Sequence, residues 1–511
     1  MKNRLLFCLL ILCIGAKSQT QDLNTLSTGK LINFHAIYLK ENNLYGYLGI
    51  YSLGNLNEET KKFEYVLLDK NLNKVINKEF VNSHYTTNFS GYFNGRGELI
   101  LDPHYIWDKK FDKSLNLPYS VKVDITKNLI TKNLDLCFKE ERIIVCDTTK
   151  TRKERQKEIE ELMKANDFVE RSDVWQRKDE NYFAYTYKDM GKYTEENRII
   201  KFDKNKQKLW EYKFNENGDK KNSQYLYPIK WGDELAYFIM IRNEKTNTKF
   251  DFLVLNMDDG KIDYQDNIQE LKNYREGKNL EEIIFFKNSV NSKPFYENDS
   301  IFKVYGFKFA GGYSIDGIYQ LQYDKKKKSV VELTDYYYNK YYGDNGIGMF
   351  GRKLATHYLL KPRDIFFNDG GVPTILYELL NGDNNNKTDD LVAVSYQDSE
   401  FVPSQIKFFE KEKSKDYGAD YLFSQPINEG KDVAFFYRDK VKDKENGDKN
   451  WILYINTVID GQFKQEQIPI SSKNYSIYPY VAKEGYILLY ETNKENKDEK
   501  YNQIRLERLN Y

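Results

Sequence analysis

Apolar residues in this chain come in short runs of Val, Ile, Leu, Phe and Tyr, each broken by a polar turn that begins with Asp or Asn. The unit reads FEYVLLDKNLNKVINKEF at 63–80, SVKVDITKNLITKNLDL at 120–136 and RIIKFDKNKQKLWEYKF at 198–214. It returns as FDFLVLNMDDGKIDYQDNI at 250–268, IYQLQYDKKKKSVVEL at 318–333 and WILYINTVIDGQFKQEQIPI at 451–470. Runs of this length, rich in β-branched and aromatic residues and bounded by turn residues, predict antiparallel hairpins. Most are preceded by another apolar run, such as LYGYLGIYSL at 44–53, YFAYTY at 182–187, LAYFIMI at 235–241, VAFFY at 433–437 and YILLY at 486–490. In these the apolar residues are consecutive and not alternating, the pattern of strands buried on both faces. A hairpin of this kind cannot bury its faces alone, so copies must stack on one another to make a core.

Repeated four-stranded units stacked in a ring resemble the β-propellers, and the resemblance covers about four fifths of the chain beyond residue 18. Eight units are expected, centred on 31–81, 85–138, 174–215, 222–268, 280–336, 350–408, 415–470 and 474–511. Seven would follow if the irregular sixth unit were miscounted. The last unit lacks a fourth strand, and a strand near Leu23 to Leu31 would complete it and remove the open edges. The expected fold is therefore all-β, a single propeller over 19–511. The third unit, with Asp203 followed by Leu209-Trp210-Glu211, is similar to blades of the quinoprotein type; other units lack that Trp, so no quinone cofactor is implied. One segment breaks the pattern. In TRKERQKEIEELMKA at 151–165, Thr151 with Glu154 forms a capping box, Lys157 with Glu161 and Glu160 with Lys164 lie one turn apart, and Ile159, Leu162 and Met163 share a face. This predicts a short inserted helix.

Charge adds little to the fold but limits function. With 78 Lys and Arg against 77 Asp and Glu, the 511-residue chain has no net field to attract nucleic acid. The first residues suggest export: Lys2 and Arg4, an apolar run from Leu5 to Ile14, then Ala16-Lys17-Ser18 before Gln19 predict a signal peptide over 1–18. That run is too short to span a bilayer, and no later stretch approaches the roughly 20 apolar residues a spanning helix needs. Beyond it two cysteines remain, Cys137 and Cys146. A turn centred on Glu141 and Arg142 would set them opposite each other on adjacent strands, and in an oxidising compartment a disulfide is expected, contributing about 2.5–3 kcal/mol.

Candidate chemistry is sparse. In NGDNNNKTDDLVAV at 381–394, Asn381, Asp383, Asn385 and Asp389 fall at relative positions one, three, five and nine before an apolar strand. Alternating oxygen donors on a tight turn suit a hard cation. The pattern resembles the calcium loops of FG-GAP propeller repeats, with Asn381 in place of Asp at the first position and Asn386 in place of Gly at the sixth; a calcium site and a solvated polar turn are both open readings. The four histidines are His35, His84, His104 and His357, and no HExxH pairing occurs. Each reads as a strand or turn residue; His104, beside Asp102 and Trp107, is the least unlike a catalytic histidine, and no catalytic residue is assigned. Gly312-Tyr313-Ser314-Ile315-Asp316 departs from a nucleophile elbow at its last position and lacks the strand-to-helix context. Gly-rich stretches at 91–97, 310–317 and 343–351 hold no phosphate loop. The expected function is an exported binding or scaffolding module for a protein, a glycan or an envelope component. An exported hydrolase using carboxylates on the same scaffold is the alternative.

Overall fold

In the computed structural model the described residues are 19–39, 43–93, 98–106, 118–132, 149–151, 153–158, 161, 172–176, 182–186, 197–203, 207–215, 222–245, 247–268, 295–310, 314–337, 358–367, 371–381, 387–396, 403–412, 420–442, 447–459, 462–471, 474–493 and 502–510. They form eight four-stranded antiparallel sheets, the blades of a β-propeller. After β1 (Gln19–Asp22), blade 1 holds β2 (Lys30–Tyr38), β3 (Leu44–Asn55), β4 (Thr60–Asp69) and β5 (Lys74–Ser83). Blade 2 holds β6 (Thr86–Phe93), β7 (Leu99–Tyr105), β8 (Val121–Asp124) and β9 (Leu129–Lys132). Blade 3 holds β10 (Ser172–Gln176), β11 (Tyr182–Thr186), β12 (Asn197–Phe202) and β13 (Lys208–Phe214). Blade 4 holds β14 (Asn222–Trp231), β15 (Leu235–Glu244), β16 (Asn247–Asn256) and β17 (Ile262–Asn267). Blade 5 holds β18 (Phe295–Glu297), β19 (Ile301–Ala310), β20 (Ser314–Asp324) and β21 (Ser329–Tyr337). Blade 6 holds β22 (Tyr358–Phe367), β23 (Pro373–Asn381), β24 (Lys387–Tyr396) and β25 (Pro403–Phe409). Blade 7 holds β26 (Tyr421–Ile427), β27 (Asp432–Lys442), β28 (Lys449–Ile459) and β29 (Gln462–Pro469), and blade 8 holds β30 (Tyr475–Val481), β31 (Tyr486–Asn493) and β32 (Asn502–Arg508). Eight units, not seven, is thus the observed number, and the irregular sixth is a full blade.

The ring closes through β1, which pairs with β32 as the fourth strand of blade 8. The expected closing strand lay near Leu23 to Leu31, so its position needs correction. Leu23–Thr25 is a 3-10 turn, capped by the Asp22 carboxylate accepting from the Asn24 N–H at 2.9 Å, and Lys30 already opens blade 1. Leu23 is fully buried between blades 8 and 1, where the apolar signal that suggested a strand is spent as a plug.

The first strands of blades 1, 2, 7 and 8 approach one another: β2 approaches both β6 and β30, and β26 approaches β30. The second and third strands are buried on both faces, as their unbroken apolar runs require; β3 carries six consecutive buried residues. Apolar clusters bridge neighbouring sheets at seven junctions among the described residues, 8–1, 1–2, 3–4, 4–5, 5–6, 6–7 and 7–8. At the 4–5 junction Tyr237 and Phe302 stack with centroids 3.7 Å apart.

The recurring Asp or Asn has a local cause. Its side-chain oxygen accepts backbone N–H groups from the turn that follows. Asp69 accepts from Asn71 at 2.7 Å and Asn73 at 2.9 Å, Asp124 from Lys127 at 3.0 Å, and Asp203 from Gln207 at 2.8 Å. Asn256 accepts from Asp258 at 2.8 Å, and Asp324 from Lys326 and Lys327 at 2.9 Å. The backbone N–H of Lys127 holds the Asp124 carboxyl below the usual carboxylate range, and that of Lys327 does the same for Asp324. Asn128, Gly260 and Lys328 then take the left-handed conformation, with φ of 50°, 73° and 50°. At Gly260 the need is also steric, because a Cβ there would lie 2.5 Å from the Trp210 ring. Trp210, the residue behind the quinoprotein likeness, docks across the 3–4 junction and donates from Nε1 to the Met257 carbonyl at 3.3 Å.

The inserted helix is present over 153–158 and at 161. Its capping box forms as read: the Thr151 N–H donates to Glu154 at 2.7 Å and the Glu154 N–H to Thr151 Oγ1 at 3.4 Å. Lys157 and Glu161 pair at 3.8 Å. Among the described residues no helix is long and apolar enough to cross a membrane.

Candidate functional site

At the seam where the ring closes, the chain leaving β1 passes over the outer strands of blade 1 and leaves a cavity of about 600 Å³. Asn24, Thr25, Leu26, Ser27, Thr28 and Gly29 form one wall, and Glu64 on β4 with Glu79 on β5 form the other. The first wall is built by local hydrogen bonding. Thr25 Oγ1 donates to the Asp22 carbonyl at 2.8 Å, the Gly29 N–H donates to Ser27 Oγ at 3.0 Å, and Tyr51 anchors the turn by donating to the Leu23 carbonyl at 2.7 Å. Burial and the nearby Glu64 carboxylate push the Tyr51 hydroxyl far above its ordinary range, so it stays a donor at all physiological pH.

The second wall follows from strand alternation. Phe63 and Tyr65 face blade 2, so Glu64 between them faces blade 8 and the cavity. Its direct cross-strand partner is Glu79. Like charges placed opposite each other are unfavourable. The pair is relieved by Asn77, whose amide donates to Glu64 Oε1, and by Lys62, 2.5 Å from Glu79. Glu64 is only 7% exposed, while the Glu79 side chain is 52% exposed. The result is an open polar cleft with two carboxylate acceptors facing a rim of hydroxyl and amide groups. Such a lining favours a ligand rich in hydroxyls over an apolar one.

The histidines lie elsewhere. His35 on β2 faces blade 2, where its Nε2 accepts the Gly91 N–H at 3.0 Å while Nδ1 is buried with no partner. A Cβ at Gly91 would sit 2.3 Å from the end of the Leu48 side chain, which would have to shift to admit it. His104 contacts the Ser90 hydroxyl across the β6–β7 pair, and Asp102 accepts from Ser120. Among the described residues no carboxylate bonds the other His104 nitrogen, so the serine and histidine are paired without the third member of a triad. His84 Nδ1 lies 3.2 Å from the Glu59 carbonyl. His357 and Trp107 fall outside the described residues, as do Cys137 and Cys146. Of the cation-loop candidates, Asn381 ends β23 and Asp389 lies in β24, whereas Asp383 and Asn385 are outside the described residues. Among the described residues no three His, Cys, Asp or Glu side chains converge for a metal.

His35 gives a pH test of the blade 1–2 junction. Burial, and then the charge of nearby His104, lower its pKa from the ordinary 6.5. The unfolded chain therefore takes up the proton first, and stability falls as pH drops below 6.5, with no contribution above it. His35→Gln keeps an acceptor for the Gly91 N–H and is expected to flatten this part of the melting-temperature profile between pH about 7 and 5. An unchanged slope in the variant would assign the acid sensitivity to other groups.

A second polar cluster lies between blades 6 and 7. Arg363 is the extra residue of a β-bulge in β22 and donates from Nε to Glu378 at 2.6 Å. Glu378, fully buried, also accepts the Asp420 N–H at 2.9 Å and lies 3.6 Å from Lys411, which reaches Asp420 at 2.8 Å. Asp364 accepts from Tyr421 at 2.6 Å and from Ser424. Each of these carboxylates is occupied by a neighbouring blade, which makes the cluster a joint. Asp439, whose pKa burial raises, accepts the N–H groups of Glu412 at 2.6 Å and Lys440 at 2.8 Å.

Sequence reasoning did not single out the cavity. Its one local signal is Glu64, a charge inside the apolar run FEYVLL.

No protein family is matched by the chain, and no curated protein is matched by its sequence. Among solved structures it is similar to the β-propeller domain of the trilobed protease from Pyrococcus furiosus, at 11% identity and a TM-score of 0.32, covering 86% of this chain and 95% of that one. It is also similar to the Dos1 propeller, at 10% identity and a TM-score of 0.31, covering 82% of this chain and 91% of that one. An ulvan lyase of a polysaccharide lyase family is similar at 8% identity and a TM-score of 0.34, again covering 82% and 91%. These likenesses concern the fold alone.

Proposed function

We propose that this propeller is an exported binding module whose seam cavity holds a polyhydroxylated ligand, a glycan of the cell envelope or its surroundings. The observation that carries the reading is the cavity itself: Glu64 and Glu79 face the hydroxyl-bearing turn Thr25–Gly29 across about 600 Å³. Sugar hydroxyls would donate to the two carboxylates and accept from the Ser27 and Thr28 hydroxyls, and a charge-assisted hydrogen bond contributes about 1.5–3 kcal/mol. Export is supported by the basic and apolar start of the chain and the small residues Ala16 and Ser18. Placement in the periplasm or outside the cell follows from the same reading.

The test is a glycan array with the mature chain, followed by calorimetry on the best binder. Glu64→Gln keeps the shape and removes the charge, and about tenfold weaker binding is expected, equivalent to about 1.4 kcal/mol. Undiminished affinity in a variant carrying both Glu64→Gln and Glu79→Gln would remove the cavity from consideration. The opposed carboxylates also favour one second reading. Release of new reducing ends from the bound glycan, lost on Glu64→Gln, would make the protein a hydrolase with this pair at its centre. Affinity capture that instead returned a stoichiometric protein would favour a scaffold.

A further inference from the structure

Gln19, the first of the described residues, already belongs to the strand that closes the ring, and it follows the Ala16-Lys17-Ser18 site. Resting on the export reading, we infer that Gln19 becomes the amino terminus and cyclises to a pyroglutamyl residue, so that processing and ring closure meet at the same residue. The step balances without an oxidant or reductant. The α-amine freed by cleavage attacks the Gln19 side-chain amide carbon, the new carbon–nitrogen bond closes a five-membered lactam, and ammonia leaves.

Three observations make this residue suited to it. First, β1 is the outermost strand of blade 8 and among the described residues has four ladder positions, Gln19 opposite Leu506, Thr20 opposite Arg505, Gln21 opposite Ile504 and Asp22 opposite Gln503. Exposed termini are where trimming concentrates, and loss of even one residue shortens this ladder by a quarter. A lactam has no free α-amine for an aminopeptidase to grip. Second, a terminal ammonium would stand next to the position facing Arg505, whose guanidinium is already held by Glu491 at 2.9 Å and Glu507 at 2.7 Å. Removing that ammonium leaves the Arg505 ion pairs without a competing cation. Third, the lactam keeps an N–H and a carbonyl, so backbone pairing at the strand's first position is still available.

The experiment expresses the full chain, leader included, in an exporting bacterium and reads its amino-terminal peptide by mass spectrometry. The expected peptide starts at residue 19 and is lighter by one ammonia. A peptide that starts at Gln19 with a free amine would overturn cyclisation and leave export standing. A peptide that retains Met1 would sink both, and one that starts at another residue beyond the leader would overturn cyclisation at Gln19 and leave export standing. A Gln19→Asn variant, which lacks the side-chain length for this ring, is expected to lose residues 19 and 20 to an aminopeptidase within a time that leaves the wild-type chain intact. Equal trimming of the two would overturn the protective role.

Discussion

A chain lacking residues 19–25 should lose the cooperative melting of the ring and associate through its exposed β32 edge. Among the described residues, the four paired positions of β1 are what covers β32 on its outer side. Each ladder hydrogen bond lost costs about 1 kcal/mol net. The same truncation removes Leu23, which has no exposed surface and packs among Tyr51, Val66, Leu488 and Leu506 at the 8–1 junction. Loss of a side chain so placed costs about 2–5 kcal/mol. The cap that Asp22 gives Asn24 and the bond from Tyr51 to the Leu23 carbonyl vanish as well. Unpaired strand edges template association, so size-exclusion chromatography should show dimers or larger species alongside a lowered melting temperature. A monomer that melts as the intact chain does would show that blade 8 stands with three strands.

Glu378→Ala should destabilise the protein by about 3–5 kcal/mol, the cost of breaking a buried ion network by removing one partner. Glu378 has no exposed surface and is the common acceptor for Arg363, the Asp420 N–H and Lys411. Its loss strands the Arg363 guanidinium and the Asp420 N–H inside the 6–7 junction and leaves Lys411 with Asp420 alone. The control is Glu79→Ala, half exposed and paired with Lys62, where an effect of about 0–1 kcal/mol is expected. Urea titration of both variants separates the cases. A Glu378→Ala effect no larger than the control would mean that water enters the junction and solvates the charges.

The repeat was legible in the sequence because its cause is local. An Asp at position 69, 124, 203 or 324 starts a turn by accepting N–H groups within the next four residues, so the signal and the structure sit in the same short stretch. Consecutive apolar residues at 235–241 announced burial on both faces for a similar reason. The closing strand was misplaced because QTQD carries no strand pattern of its own; its conformation is imposed by β32, at the far end of the chain. The apolar Leu23 beside it drew the reading downstream. The cavity was illegible for the same cause, since the turn Thr25–Gly29 meets Glu64 and Glu79 only after closure. The Arg363–Glu378 joint depends on a bulge that shifts the register between Pro362 and Asp364, and register is set by pairing with another strand. At the cation-loop candidate, the structure adds that Asn381 and Asp389 lie on the two strands of one hairpin.

Several second-strand tyrosines reach across a blade junction and end on main chain. Tyr47 donates to the Val481 carbonyl at 3.0 Å, and Tyr305 to the Gly371 carbonyl at 2.8 Å. Because the acceptor is a peptide group, the contact reads where the next blade's backbone runs and is indifferent to its side chains. At these two junctions the acceptor side can drift in sequence while the contact survives. A duplicated or exchanged blade would meet the same welcome, provided its first strand arrived at the right height.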